Sequence, residues 1–262
     1  MTYATLPDIV LEPIVRNALM EDLGTYGDVT TRAVIPPATT YDAAINAREP
    51  GIVSGMQIAR IAFGLVDPSL EIEPLVEDGD TIAPGDTLMR IRGKAASILS
   101  GERVALNFAG RLSGIATMTA SFVAKTEGTK TRITCTRKTT PGLRVVEKLA
   151  VLHGGGFNHR YSLSDAILIK DNHIAIHGSI TGALRQARAL TPSLTKIEID
   201  KLKNELPSCN IEHNAKLSAK ESAEVIEVAI REKLERHEGE LTKTDFDKVA
   251  KLEIQESQIG DV

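Results

Sequence analysis

Tryptophan is absent from this 262-residue chain, and aromatic residues make up only 3% of it. That disfavours single-strand nucleic-acid binding by base stacking, which uses aromatic platforms. A basic excess is also missing. The formal net charge is −4 and the pI about 5.9, so no global signal of nucleic-acid binding is present. Cysteine is limited to Cys135 and Cys209, which are too few and too far apart for a disulfide scaffold. A reducing compartment, the cytoplasm, is therefore expected. No apolar run approaches the roughly 20 residues of a membrane span. The N-terminal MTYATLPDIVLEPIV lacks a basic stretch followed by an apolar one, so no signal peptide is expected.

The remaining composition, 42% hydrophobic and 25% charged, is that of a globular protein long enough to bury a core. Helical spacing of apolar residues predicts an opening helix over 7–20, and the Gly/Asp-rich EDLGTYGDVTT reads as a break. A strand at 42–48, a turn at GIVSG and a helix at MQIARIAFGLV follow. Residues 70–92 carry DG and PG turns and predict a small antiparallel unit. From Ser97 to Thr126 the chain reads as one long helical stretch. Its small residues Ala105, Ala109, Gly110 and Gly114 would admit close helix neighbours. Then an α/β rhythm begins: strands at 131–136, 165–170 and 195–200, with helices at 141–155 and 180–190. Strands and helices alternating at this spacing imply parallel pairing in a sheet or barrel.

Chemistry concentrates at the ends of those strands, where open α/β sheets and barrels bind ligands. Arg137-Lys138-Thr139-Thr140 stands between a strand and a helix N-terminus, and suits a phosphate or carboxylate as well as it suits a solvated basic loop. Gly154-Gly155-Gly156 precedes His159 and Arg160; glycines there would let the backbone approach a ligand. Lys170 ends a buried-type strand. Glu198 and Asp200 share one strand face and could take sugar hydroxyls or water-bridged Mg²⁺.

Other patterns carry less. His173 and His177 are four apart, but Ile174 stands where the zinc-protease motif needs Glu. HGGG at 153–156 has no G-x-S-x-G elbow to go with it. DGDTIAPGDTL is like a biotin- or lipoyl-carrier hairpin without the tip lysine. Cys135 reads as a core residue rather than a nucleophile.

Several segments together resemble the quinolinate phosphoribosyltransferase family. They are Glu21-Asp22-Leu23-Gly24 with Gly27-Asp28-Val29-Thr30-Thr31, then ERVALNFAGRLSGIAT at 102–117, TRKTTPGLRVVEKLAVLHGGGFNHR at 136–160 and LSDAILIKDNHI at 163–174. The likeness runs from about residue 7 to 200, in order. It implies an α/β class: an α+β N-terminal sandwich over 1–110, then a truncated α/β barrel over 111–200, in a homodimer. The implied reaction joins quinolinate to phosphoribosyl pyrophosphate with Mg²⁺, releasing pyrophosphate and carbon dioxide and giving nicotinate mononucleotide for NAD biosynthesis. By position Arg103, Arg137, Thr139, His159, Arg160 and Lys170 fall in the family's substrate pocket, with Arg103 supplied by the partner subunit. Lys138, Lys170 and Glu198 are the implied catalytic residues, and no resident metal site is implied. Cys135 stands where the family usually has aspartate.

Beyond Asp200 the family has three further glycine-rich strand ends, carrying L-D-N-M, E-x-S-G-G and G-x-L-T-H segments, and residues 201–262 contain none of them. Instead 24 of those 62 residues are charged, which marks a boundary and an unrelated tail. SAKESAEVIEVAIREKLERHEGE (218–240) reads as one amphipathic helix, and KVAKLEIQ as a strand, faintly like the entry to a leucine-rich repeat. Three functions are open on sequence alone. The chain is an active phosphoribosyltransferase, or an inactive truncated or fused homologue that binds ligand or a dimer partner, or an interaction module working through its tail.

Overall fold

A computed structural model describes residues 5–199 and the short strand Leu252–Ile254. Helix α1 (Asp8–Leu23) buries Leu11, Val15 and Leu19, spaced by four on one face, and ends at Gly24 with φ +53°. It extends past residue 20 because Glu21-Asp22-Leu23 continues the turn until that glycine. The stretch read as a break contains the start of a second helix, α2 (Val29–Val34). Its N-cap is Asp28, whose carboxylate accepts the Thr31 N–H at 2.8 Å.

Strands β1 (Thr40–Asn46), β3 (Glu71–Pro74) and β5 (Thr87–Lys94) form an antiparallel sheet in the order β1-β5-β3, with Ala44 opposite Arg90 and Ile72 opposite Ile91. The pairs β2 (Gly51–Ile52) and β4 (Thr81–Ile82) form a second, two-stranded ladder. The turns flanking β4 are held by Asp80 and Asp86, whose carboxylates accept the Glu77 and Ala83 N–H groups. Asp78 works at longer range. It accepts from the Met56 and Gln57 N–H groups and so caps α3 (Met56–Val66), whose own N-cap, Gly55, has no side chain to do so.

The organising element is α4 (Ala95–Lys125), 31 residues and about 46 Å long. Its buried stripe recurs at three- and four-residue steps: Ile98, Val104, Ala105, Phe108, Leu112, Ile115, Ala116, Thr119 and Phe122. α1, α3 and α5 all pack on it. Ala109 does allow close approach, for Gly55 lies against its backbone, whereas Gly110 is exposed to open space. Among the described residues no helix is both long and apolar enough to cross a membrane.

After α4 come β6 (Ile133–Cys135), α5 (Arg144–His153), β7 (Ile167–Ile169), α6 (Asp171–His177), α7 (Ile180–Leu190) and β8 (Ile197–Ile199). β7 and β8 are parallel neighbours, joined by the crossover that parallel strands require. β6 pairs in parallel with β9 (Leu252–Ile254) and makes a bridge from Thr134 to Phe157. Among the described residues these two parallel pairs do not close into a barrel. The amphipathic segment 218–240 lies outside the described residues.

Candidate active site

The basic loop predicted between a strand and a helix is where the structure places it, between β6 and α5. A network that spans three elements fixes its shape. Arg144, the first residue of α5, donates from Nε to Thr139 Oγ1 at 3.0 Å and from its Nη atoms to the carbonyls of Arg137 and Tyr161. Glu147, 1% exposed, accepts the Thr140 N–H on Oε2 at 3.1 Å. Its Oε1 accepts both Nε and Nη2 of Arg111 from α4, at 2.9 and 2.5 Å, and Nη2 also donates to Thr140 Oγ1. This buried carboxylate therefore satisfies a loop amide and a guanidinium together, which a buried charge requires.

Arg137 itself is differently placed. Its Nε is buried and meets no hydrogen-bond partner among the described residues. Burial first, then the charges of Arg144 and Arg160, hold its pKa below the ordinary guanidinium value, and Asp165 only partly offsets them. A guanidinium surrounded by like charge, with an unused donor, is arranged to receive an anion. Lys138 and Arg103 are exposed, and the Thr139 hydroxyl is engaged by Arg144.

Next to this loop, Arg160 Nη1 donates to the Ala166 carbonyl at 3.1 Å. Asp165 holds the preceding turn through the Tyr161 and Ser162 N–H groups, both at 2.7 Å. Burial raises the Asp165 pKa, but those N–H groups and the Ser162 hydroxyl outweigh it, so the carboxyl titrates below its usual range. His159 and Glu198 come together, with Nε2 and Oε2 3.4 Å apart, and Lys196 Nζ lies 3.6 Å from the same carboxylate oxygen. Lys170 is the N-cap of α6 at the end of β7, and its N–H donates to His173 Nδ1.

One part of the sequence reading needs correction. Gly154 and Gly156 do not open space for a ligand. A Cβ at Gly154 would stand 2.3 Å from the Ala116 carbonyl oxygen and 2.6 Å from Thr119 Cβ; one at Gly156 would meet Thr119 and Val151 at 2.8 Å. These glycines let the end of α5 lie against α4, which sets where His159 and Arg160 emerge. Arg111, Arg144 and Glu147 were not singled out from sequence. The usable signal was the adjacent charged pair Glu147-Lys148 inside the otherwise apolar run VVEKLAVL.

Comparison with known proteins places the chain in a family. The profile "Quinolinate phosphoribosyl transferase, N-terminal domain" matches residues 28–113, and the corresponding C-terminal domain profile matches 115–231. The chain belongs to the quinolinate phosphoribosyltransferase family. The second match runs past the composition change near 200, and α4 is continuous across the junction between the two. The chain is 46% identical over 178 residues to quinolinate phosphoribosyltransferase [decarboxylating] 1 of Nicotiana glauca, covering 68% of this chain and 50% of that protein. It is 43% identical over 190 residues to a probable nicotinate-nucleotide pyrophosphorylase [carboxylating] of Bacillus subtilis, covering 72% and 65%. The chain thus spans about half to two thirds of the length of these relatives. Among solved structures it is similar to NadC from Streptococcus pyogenes (TM-score 0.72, 40% identity, 74% of this chain and 69% of that one). It is also similar to the nicotinate-nucleotide pyrophosphorylase of Francisella tularensis (TM-score 0.73, 30% identity, 98% and 92%). Family members of this kind share the mixed α/β fold described above.

Proposed function

We propose that this chain carries the family's phosphoribosyl transfer, joining quinolinate to phosphoribosyl pyrophosphate in NAD biosynthesis. The observation that supports it most is the convergence of Arg137, Arg144 and Arg160, with a buried guanidinium donor left for a ligand. Quinolinate carries two carboxylates and its co-substrate several phosphates, and guanidinium forks match both.

In this reading Arg137, Thr139, His159, Arg160 and Lys170 hold the substrates, and Arg103 reaches the site of a second copy of the chain. The pyridine nitrogen attacks the anomeric carbon, the carbon–oxygen bond to pyrophosphate breaks, and pyrophosphate leaves with its electron pair. Glu198 faces the cation-like ribosyl carbon, with His159 and Lys196 limiting where its carboxylate can turn. The bond from ring carbon 2 to its carboxylate then breaks. Its electron pair stays on the ring beside the positive nitrogen and takes a proton from Lys138 or Lys170, and carbon dioxide departs. Mg²⁺ belongs to the co-substrate here: an ion that keeps its waters and binds phosphates needs no all-protein cage.

The same reading assigns residues 1–110 to a sandwich and 111–200 to a partial barrel, in a cytoplasmic homodimer. Exposed apolar side chains on α1 and α2, namely Ile9, Met20, Val29 and Val34, support a second copy packing there. Residues 201–262 carry none of the L-D-N-M, E-x-S-G-G and G-x-L-T-H segments, which favours a second reading, a homologue that binds these ligands without turning them over. A turnover assay with quinolinate, phosphoribosyl pyrophosphate and Mg²⁺, following nicotinate mononucleotide, separates the two. Turnover lost in Arg137→Ala supports the enzyme; quinolinate binding by calorimetry without turnover supports the binder; neither sinks both.

A further inference from the structure

We infer that Glu147 is a positioning residue for the anion-binding loop, acting through the Thr140 amide and Arg111. The inference rests on the proposed function of that loop. The loop from Arg137 to Thr140 carries the guanidinium, ammonium and hydroxyl groups assigned to the substrates, and its direct bond to α4 runs from Arg111 to the Thr140 hydroxyl. Glu147 ties the loop backbone to that same arginine. One carboxylate oxygen takes the Thr140 N–H at 3.1 Å, and the other takes Arg111 from α4 at 2.9 and 2.5 Å. Arg111 closes the ring by donating to Thr140 Oγ1. The Thr140 amide, 7 positions away in the chain, and two donors of Arg111, 36 positions away, are thus tied to a single side chain that is 1% exposed.

Burial decides what this arrangement does. In a water-exposed site an ion pair of this kind would exchange partners with solvent and set little. Here Glu147 has no solvent alternative, so its carboxylate stays on the loop amide and on Arg111, whose own side chain is 35% exposed. Arg144 holds the outer side of the same loop, at the Thr139 hydroxyl and the Arg137 carbonyl. The two clamps fix both ends of the segment from which Arg137 projects. A loop held this way does not need to be ordered when the ligand arrives, and that ordering cost is what preorganisation removes from binding.

The test uses the full chain and two variants. Glu147→Gln is nearly isosteric and keeps an acceptor but loses the charge. Arg111→Met leaves the Glu147–Thr140 bond in place, and removes the tie to α4 together with the guanidinium that pairs with Glu147. Quinolinate dissociation constants are measured by calorimetry, and hydrogen exchange at the Thr140 amide reports the clamp. Circular dichroism and thermal unfolding report the fold. The expected result is a roughly ten- to hundredfold weaker quinolinate complex in each variant, with faster exchange at Thr140 and a retained fold. The double variant should be little weaker than either single one, because both break one ring. A merely structural role would lower the melting temperature and leave the dissociation constant unchanged. Equal affinity in wild type and Glu147→Gln, with Thr140 released, overturns the inference alone. No quinolinate binding by the wild type overturns the functional reading together with the role assigned to Glu147.

Discussion

The ammonium of Lys148 lies 2.6 Å from the sulfur of Cys135, and both side chains are buried in the contact between α5 and β6. Lys148 also reaches the His159 carbonyl at 3.4 Å, and Cys135 Sγ lies 3.1 Å from Asn158 Oδ1. A thiol is a weak acceptor for a buried cation, and the resemblance of this segment to its family implies aspartate at the position. The ammonium is already desolvated, so a carboxylate supplied at 135 would gain a charge-assisted bond and incur only its own desolvation. Cys135→Asp is therefore expected to stabilise the chain by about 1–2 kcal/mol, raising the melting temperature by several degrees. The Asn158 amide would turn to offer its NH₂ to the new carboxylate. A lower melting temperature in this variant would show that the thiol suits Lys148 as it stands.

Gly154 gives a second expectation, of opposite sign. Its φ of −75° suits any residue, so no backbone strain is involved and only the contact with α4 excludes a side chain. Gly154→Ala would drive a methyl group into the Ala116 carbonyl and the Thr119 side chain, and α5 would have to move away. The expected loss is about 3 kcal/mol, the upper part of the range for overpacking. Urea unfolding would read it. A change within about 0.5 kcal/mol, the scale of ordinary surface substitutions, would mean that the two helices are not this closely packed.

How far the sequence reveals this molecule depends on how far apart the interacting residues are. Helices α3 and α7 follow from local periodicity, and their limits, Met56–Val66 and Ile180–Leu190, agree with the sequence reading. α2 did not, because Gly27-Asp28 signals a break and a helix N-cap with equal force. The basic loop was legible because Arg137, Lys138 and Thr139 are consecutive. Its supports were not. Arg111 and Glu147 meet across 36 positions, and a glutamate in an amphipathic helix looks solvated until its burial is known. The glycines at 154–156 announce a close backbone approach, but the sequence does not say to what; the partner is α4.

Acid stability should depend on Asp67. This carboxylate, just past α3, accepts the Ser69 hydroxyl, the Ser69 N–H and the Ser97 hydroxyl, and these bonds bring its pKa from 3.8 down to about 2 against a small opposing effect of burial. A folded-state pKa below the unfolded one means the contribution is full above the unfolded value and fades as pH falls toward the folded one. Asp67→Asn should therefore be less stable than wild type near neutral pH, with the difference shrinking between about pH 4 and 2. Urea midpoints of both proteins across that window test it. A difference that does not change with pH would show that the charge on Asp67 contributes nothing.

Arg137 should respond oppositely in binding and in stability. In the unliganded chain its Nε lacks a partner among the described residues, and Arg144 and Arg160 repel it. Removing the guanidinium relieves that conflict, so Arg137→Met is expected to raise stability by about 0.5–1 kcal/mol, as substitutions at strained functional positions commonly do. The same change removes the guanidinium proposed to meet the substrate's carboxylate, and quinolinate affinity should fall about a hundredfold or more. Arg137→Lys should recover little of it, since a point charge on a flexible stem cannot reproduce a planar fork. Thermal unfolding and calorimetry on the three proteins decide the matter together. A variant that loses stability and keeps its affinity would make Arg137 a structural residue, and the anion site would then have to be sought elsewhere in the chain.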